Sequence, residues 1–68
     1  MDFETKILSA IRHKLGDNEH AGFIGGSLFV MCAEDTCKSI YSTLTDLWGY
    51  DRVKVHRVGA EYVFDFVE

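Results

Sequence analysis

Apolar residues change their spacing along this chain in a way that marks out six elements. From Asp2 to Leu15 the set Phe3, Ile7, Leu8, Ile11 and Leu15 recurs at intervals of three and four, which predicts an amphipathic helix. Asp2 is placed to cap its start, Glu4 and the pair Arg12 and Lys14 match the ends of the helix dipole, and Gly16 is placed to stop it in the left-handed region. After a polar loop over Asp17–Glu19, two short apolar runs, His20–Ile24 and Ser27–Ala33, flank Gly25-Gly26. Two glycines in that position suit a primed two-residue turn, so the runs read as a hairpin.

The same plan then returns. Cys37, Ile40, Tyr41, Leu44, Leu47 and Trp48 fall within an arc of roughly 120° at helical spacing, predicting a second helix from about Thr36 to Trp48 with Asp35 as N-cap and Gly49 as its end. Its other face carries Lys38, Ser39, Ser42, Thr43, Thr45 and Asp46, small hydroxyls more than long charges, which suits either solvent or a partner surface. Arg52–Val58 and Glu61–Val67 are strands joined by Gly59-Ala60, where glycine at the first central position fits a type II′ turn. Counting outward from that turn sets Val58 against Glu61, His56 against Val63, Val55 against Phe64, Lys54 against Asp65 and Val53 against Phe66. Lys54 and Asp65 then make a cross-strand charge pair.

Sliding the second half back by 33 places matches Asp2 with Asp35, Ile7 with Ile40, Ser9 with Ser42 and Gly16 with Gly49; one more place matches Gly25 with Gly59 and Glu34 with Glu68. The chain therefore reads as one domain, residues 1–68, built from pseudo-repeats 1–34 and 35–68. Neither helix-hairpin unit can bury its apolar face alone, so the expected fold class is α+β: a two-layer α/β sandwich of αββαββ topology, with a four-stranded antiparallel sheet in the order 1-2-4-3 and both helices on one face. The most apolar strands take the centre. The helices would cover Leu28, Val30, Cys32, Tyr62, Phe64 and Phe66. The opposite face would display Ile24, Phe29, Met31, Ala33, Val58, Val63 and Val67, with Gly22 facing the ring of Phe29 and with His20, Arg52, Lys54, His56 and Asp65 around them.

That second face changes the functional picture. Large contiguous apolar patches on small proteins mark contact surfaces, and a 68-residue chain buries only about 60 % of its unfolded surface, so association would help it. The expectation is a small non-catalytic interaction or regulatory module, self-associating or docking a protein partner through Ile24, Phe29, Met31, Val58, Val63 and Val67. The alternative is a small-molecule sensor or enzyme accessory subunit with a ligand pocket between subunits, where His20, His56, Arg52 and Lys54 are the candidate ligand contacts.

Composition narrows this further. Eleven acidic against seven basic residues give a net charge of -4, which opposes a nucleic-acid partner held by phosphate contacts, and of the sheet aromatics only Phe29 faces outward to stack a base. There is no 18-residue apolar run for a membrane and no basic-then-apolar leader, so a cytoplasmic home is the expectation. Cys32 and Cys37, with His20 and His56, have neither the paired spacing of a zinc site nor the Cys-x-x-Cys of a redox motif, and no metal or cofactor is expected. Ser9 and His13 share a helix face, but an exposed one, and no catalytic residue is expected. Gly22, Gly25 and Gly26 precede a strand, unlike a phosphate-binding loop.

Overall fold

The structure is a computed structural model that describes residues 2–68. Helix α1 spans Phe3–Ile11, with Asp2 as its N-cap accepting the Thr5 amide at 2.8 Å. The expected continuation to Leu15 is instead a single 3-10 turn over Arg12–Lys14, closed by Leu15 N–H to Arg12 O. Tightening the last turn to i→i+3 bonds is a common helix ending. Gly16 is correspondingly not the left-handed cap: the glycines with positive φ are Gly25, Gly26, Gly49 and Gly59.

Strands β1 (His20–Ile24) and β2 (Ser27–Met31) form the first hairpin. Helix α2 (Glu34–Trp48) follows, and β3 (Val53–Val58) and β4 (Glu61–Phe66) form the second. All pairings are antiparallel in the order β1-β2-β4-β3. The β3–β4 register is the one obtained by counting out from the turn, from Val53 against Phe66 to Val58 against Glu61. In the centre Leu28 meets Phe64, Phe29 meets Val63 and Val30 meets Tyr62.

Strand β2 stops two residues before the expected Ala33 because the chain is already turning into α2. Ala33, not Asp35, is the N-cap, and its side chain offers no oxygen. The cap comes from elsewhere: Glu19, in the loop before β1, accepts the Ala33 amide on Oε2 at 2.9 Å and the Gly16 amide on Oε1 at 2.7 Å, while the Thr36 hydroxyl donates to the same carboxylate. The Ala33 amide first, and the Gly16 amide after it, hold the Glu19 carboxyl below its ordinary range.

The core cluster joins Ile7 and Ile11 of α1, Cys37, Ile40 and Leu44 of α2, and Leu28, Val30, Val53 and Phe64 of the sheet. Strand alternation puts these four sheet residues on one face, called here the core face. Leu47, at the margin of the apolar arc of α2, is exposed instead. The small hydroxyls on the far side of α2 partly turn inward: Thr43 and Thr45 donate to the carbonyls of Ser39 and Ser42, and Lys14 donates to Ser39 Oγ at 3.0 Å. At one end of the molecule Phe3, Phe23, Trp48 and Phe66 form an aromatic cluster with ring centroids 4.8 to 6.4 Å apart.

Candidate functional site

The second face of the sheet is set by the same alternation that fills the core. His20, Gly22 and Ile24 come from β1, Ser27, Phe29 and Met31 from β2, Glu61, Val63 and Asp65 from β4, and Lys54, His56 and Val58 from β3. Several of its apolar side chains are open to solvent, with relative exposures of 66 % for Ile24, 45 % for Met31, 50 % for Val58 and 45 % for Val67 just beyond β4. Phe29 is half-buried among them.

Ala33, expected on this surface, lies beyond β2 as the N-cap of α2, and two further residues expected there behave differently. Val63 has the expected face but only 3 % exposure. It is a short side chain on a central strand with Phe29 on one side and His56 on the other, so its neighbours cover it. Arg52 lies outside β3 and reaches the other way, with its guanidinium carbon 5.0 Å from the Trp48 ring centroid. A planar cation gains more by stacking on an indole than by standing free at a sheet edge.

The polar groups of the face converge on Asp65. The Ser27 hydroxyl donates to its Oδ1, and His56 Nδ1 stands 3.6 Å from its Oδ2. Lys54 is opposite Asp65 in register as counted, yet among the described residues the two form no ion pair, because that carboxylate has turned toward Ser27 and His56. The serine therefore donates to a carboxylate rather than to an imidazole, and the imidazole stands at that carboxylate's other oxygen.

His20, with Ala21, Gly22, Ile24, Phe29 and Glu61, lines a shallow hollow of about 200 Å³. Its floor is Gly22. The register places Gly22 opposite Phe29 as expected, but a Cβ built there would meet nothing within 4 Å, so the ring does not cover the bare backbone and the space stays open. Pattern reasoning missed this hollow because register fixes which residues are opposite and leaves the lean of a ring undetermined.

The thiols sit apart from this surface. Cys32 is half-buried and its pKa is pushed up to about 11, first by burial and then by the nearby Cys37 and Glu19; Cys37 is buried, and raised by burial and by Glu34. Both are held as neutral thiols at physiological pH. Among the described residues no group of three or more His, Cys, Asp or Glu side chains converges as metal ligands would, and no helix is long and apolar enough to cross a membrane. No protein-family model matches the chain, and neither a curated protein nor a solved structure matches it.

Proposed function

We propose that this chain is a small non-catalytic interaction module that assembles with a second copy of itself through the second face of its sheet. The reading takes both helices to lie on the core face, and the molecule to be a tandem repeat of one helix-hairpin unit about an approximate two-fold axis between β2 and β4. The shared core cluster of α1 and α2 with Leu28, Val30 and Phe64 supports the first point, and the recurring order of helix, strand and strand supports the second. The observation that carries the reading is the exposed apolar set Ile24, Met31, Val58 and Val67 around Phe29.

A second copy is favoured as the occupant by charge and by area. The face carries Lys54, His20 and His56 as well as Glu61 and Asp65, so a two-fold pairing can set each sign against the other. A stable interface takes about 800 Å² from each partner. Against a total surface of 4459 Å² that is about a fifth of the molecule. The two unpaired thiols suit a reducing, cytoplasmic compartment, and the acidic net charge leaves nucleic acid out of the reading.

Light scattering across a wide concentration range tests this. Wild type is expected as a dimer or larger, and Phe29→Glu as a folded monomer. Ile24→Glu is the second variant, because Ile24 is far more exposed and its replacement leaves the core untouched. Val63→Glu is unsuitable, since it would place a charge at a buried position. A wild type that stays monomeric at high concentration, or both variants associating as wild type does, overturns the proposal.

The hollow over Gly22 favours a second reading, a small-molecule sensor or accessory subunit whose site is roofed by the partner copy. One imidazole and one carboxylate, His20 and Glu61, stand at an apolar floor there. Gly22→Val would fill the space without touching the core. NMR screening with phosphates, carboxylates and metal ions should give saturable shifts in wild type that vanish in Gly22→Val while assembly is retained; a wild type without hits removes this reading.

A further inference from the structure

A second concavity lies beside the Gly25-Gly26 turn, against the aromatic cluster. It has a volume of about 370 Å³ and is lined by Phe3, Glu4, Gly26, Trp48, Phe66 and Glu68. Three of the six are aromatic, and their rings stand at steep angles to one another: 58° between Phe3 and Trp48, 84° between Phe3 and Phe66, and 89° between Trp48 and Phe66. The two charged residues in the lining are both carboxylates, and among the described residues neither is ion-paired. The indole is fixed in place by its Nε1–H, which donates to Val67 O at 2.9 Å.

We infer that this cleft binds a small organic cation of the quaternary-ammonium type. A ring carries negative potential on its face, and three rings border this one space, with Phe66 meeting Phe3 and Trp48 edge to face. Glu4 and Glu68 add net negative charge at the rim, and no basic side chain lines the space to cancel it. Trp48 already receives one cation, the Arg52 guanidinium, which is not part of the cleft lining. A neutral apolar ligand would use the rings and leave the carboxylates idle. A metal ion would find only two side-chain ligands against the six or more oxygens a hard cation takes. A methylated ammonium is weakly hydrated, and it spreads its charge over methyl groups that pack on rings while the carboxylates balance it. The volume suits a ligand of that size.

Trp48 is the single tryptophan of the chain and lines the cleft, so its emission reports occupancy directly. Choline and tetramethylammonium are titrated into the intact protein, with 3,3-dimethylbutan-1-ol as the neutral isostere of choline and N-acetyltryptophanamide as the control for collisional quenching. The expected result is a saturable response to both cations, none to the isostere, and ring-proton NMR shifts at Phe3, Trp48 and Phe66. The exposed double variant Glu4→Gln/Glu68→Gln should fold as wild type and bind choline about fivefold more weakly, and added salt should weaken the wild type in the same direction. A peptide bearing trimethyllysine forms a further arm: tighter binding than free trimethyllysine assigns the cation to a protein side chain, and equal binding assigns it to a free small molecule. Equal responses to choline and to its isostere, or unchanged affinity in the double variant, overturns the inference.

Discussion

The two hairpins follow one plan and differ in how they are closed and how their outer strands are guarded. In the first, both turn residues are glycines with positive φ, 58° at Gly25 and 85° at Gly26, as a type I′ turn requires. In the second, Gly59 has φ of 61° and Ala60 stays in the ordinary negative region, as in type II′. The outer strand of the second hairpin, β3, carries Lys54 and Arg57, side chains that discourage another strand from pairing with a sheet edge. The outer strand of the first, β1, reads His-Ala-Gly-Phe-Ile and has no such charge. The hollow over Gly22 opens on this same strand. One outer strand thus carries charges that oppose pairing with a further strand, and the other carries none.

The sharpest way to break the comparison is at the turns. Neither Gly26 nor Gly59 is crowded, since a Cβ built at either meets nothing within 4 Å, so any cost of a side chain there is a backbone cost. Gly26→Ala and Gly59→Ala should each destabilise by about 1–2 kcal/mol. In a domain of this size that lowers Tm by roughly 4–16 °C. Ala60, which occupies the place of Gly26 in its own turn, already has a Cβ and negative φ, so Ala60→Gly should cost only about 0.5–1 kcal/mol through chain entropy. Thermal melts of the three variants decide it; Gly26→Ala as mild as Ala60→Gly would mean that the two turns are of one type.

Features fixed by local chemistry were legible before the structure. The apolar richness of Ser27–Ala33 and Glu61–Val67 gave the strand order, and the turn glycine gave the β3–β4 register residue by residue. Asp2 caps α1 because its partner, Thr5, lies three residues away. Features that depend on a competing partner were not legible. Asp35 has the right chemistry for a cap and lost that place to a carboxylate fourteen residues before Ala33. Lys54 stands opposite Asp65, yet Ser27, across the neighbouring strand, takes the carboxylate. Arg52 alternates toward the second face and is drawn to Trp48 on the other side. Val63 is on the expected face and is hidden by the length of its neighbours. For the candidate surface, therefore, membership of a face could be read from spacing, whereas exposure within it depended on side chains whose lean no spacing records.

The helix starts sharpen the comparison at a smaller scale. At α1 the cap is the residue directly before the helix. At α2 it is supplied by Glu19, so the start of α2 is tied to the loop before β1. Both carboxyls, Asp2 through the Thr5 amide and Glu19 through the Ala33 amide before the Gly16 amide, are held below their ordinary range in the folded chain. The contribution of each is therefore present above the unfolded-state value and is lost as pH falls through the folded one. Substitution separates the two. Asn at position 2 keeps an oxygen for the single Thr5 amide, so Asp2→Asn should leave Tm at pH 7 nearly unchanged and remove that part of the acid sensitivity. Glu19 uses both oxygens, Oε1 for Gly16 and Oε2 for Ala33, and in Glu19→Gln one of them becomes an NH₂ facing an N–H donor. Glu19→Gln should therefore lower Tm at pH 7, and the gap to wild type should close as pH falls from the ordinary glutamate value of 4.5, where the unfolded chain takes up its proton, through the lower folded-state value, where the folded carboxylate follows. A gap that stays constant from pH 7 to the acid limit of folding would mean that the carboxylate charge contributes nothing and that the cost of Glu19→Gln lies wholly in the mismatched amide.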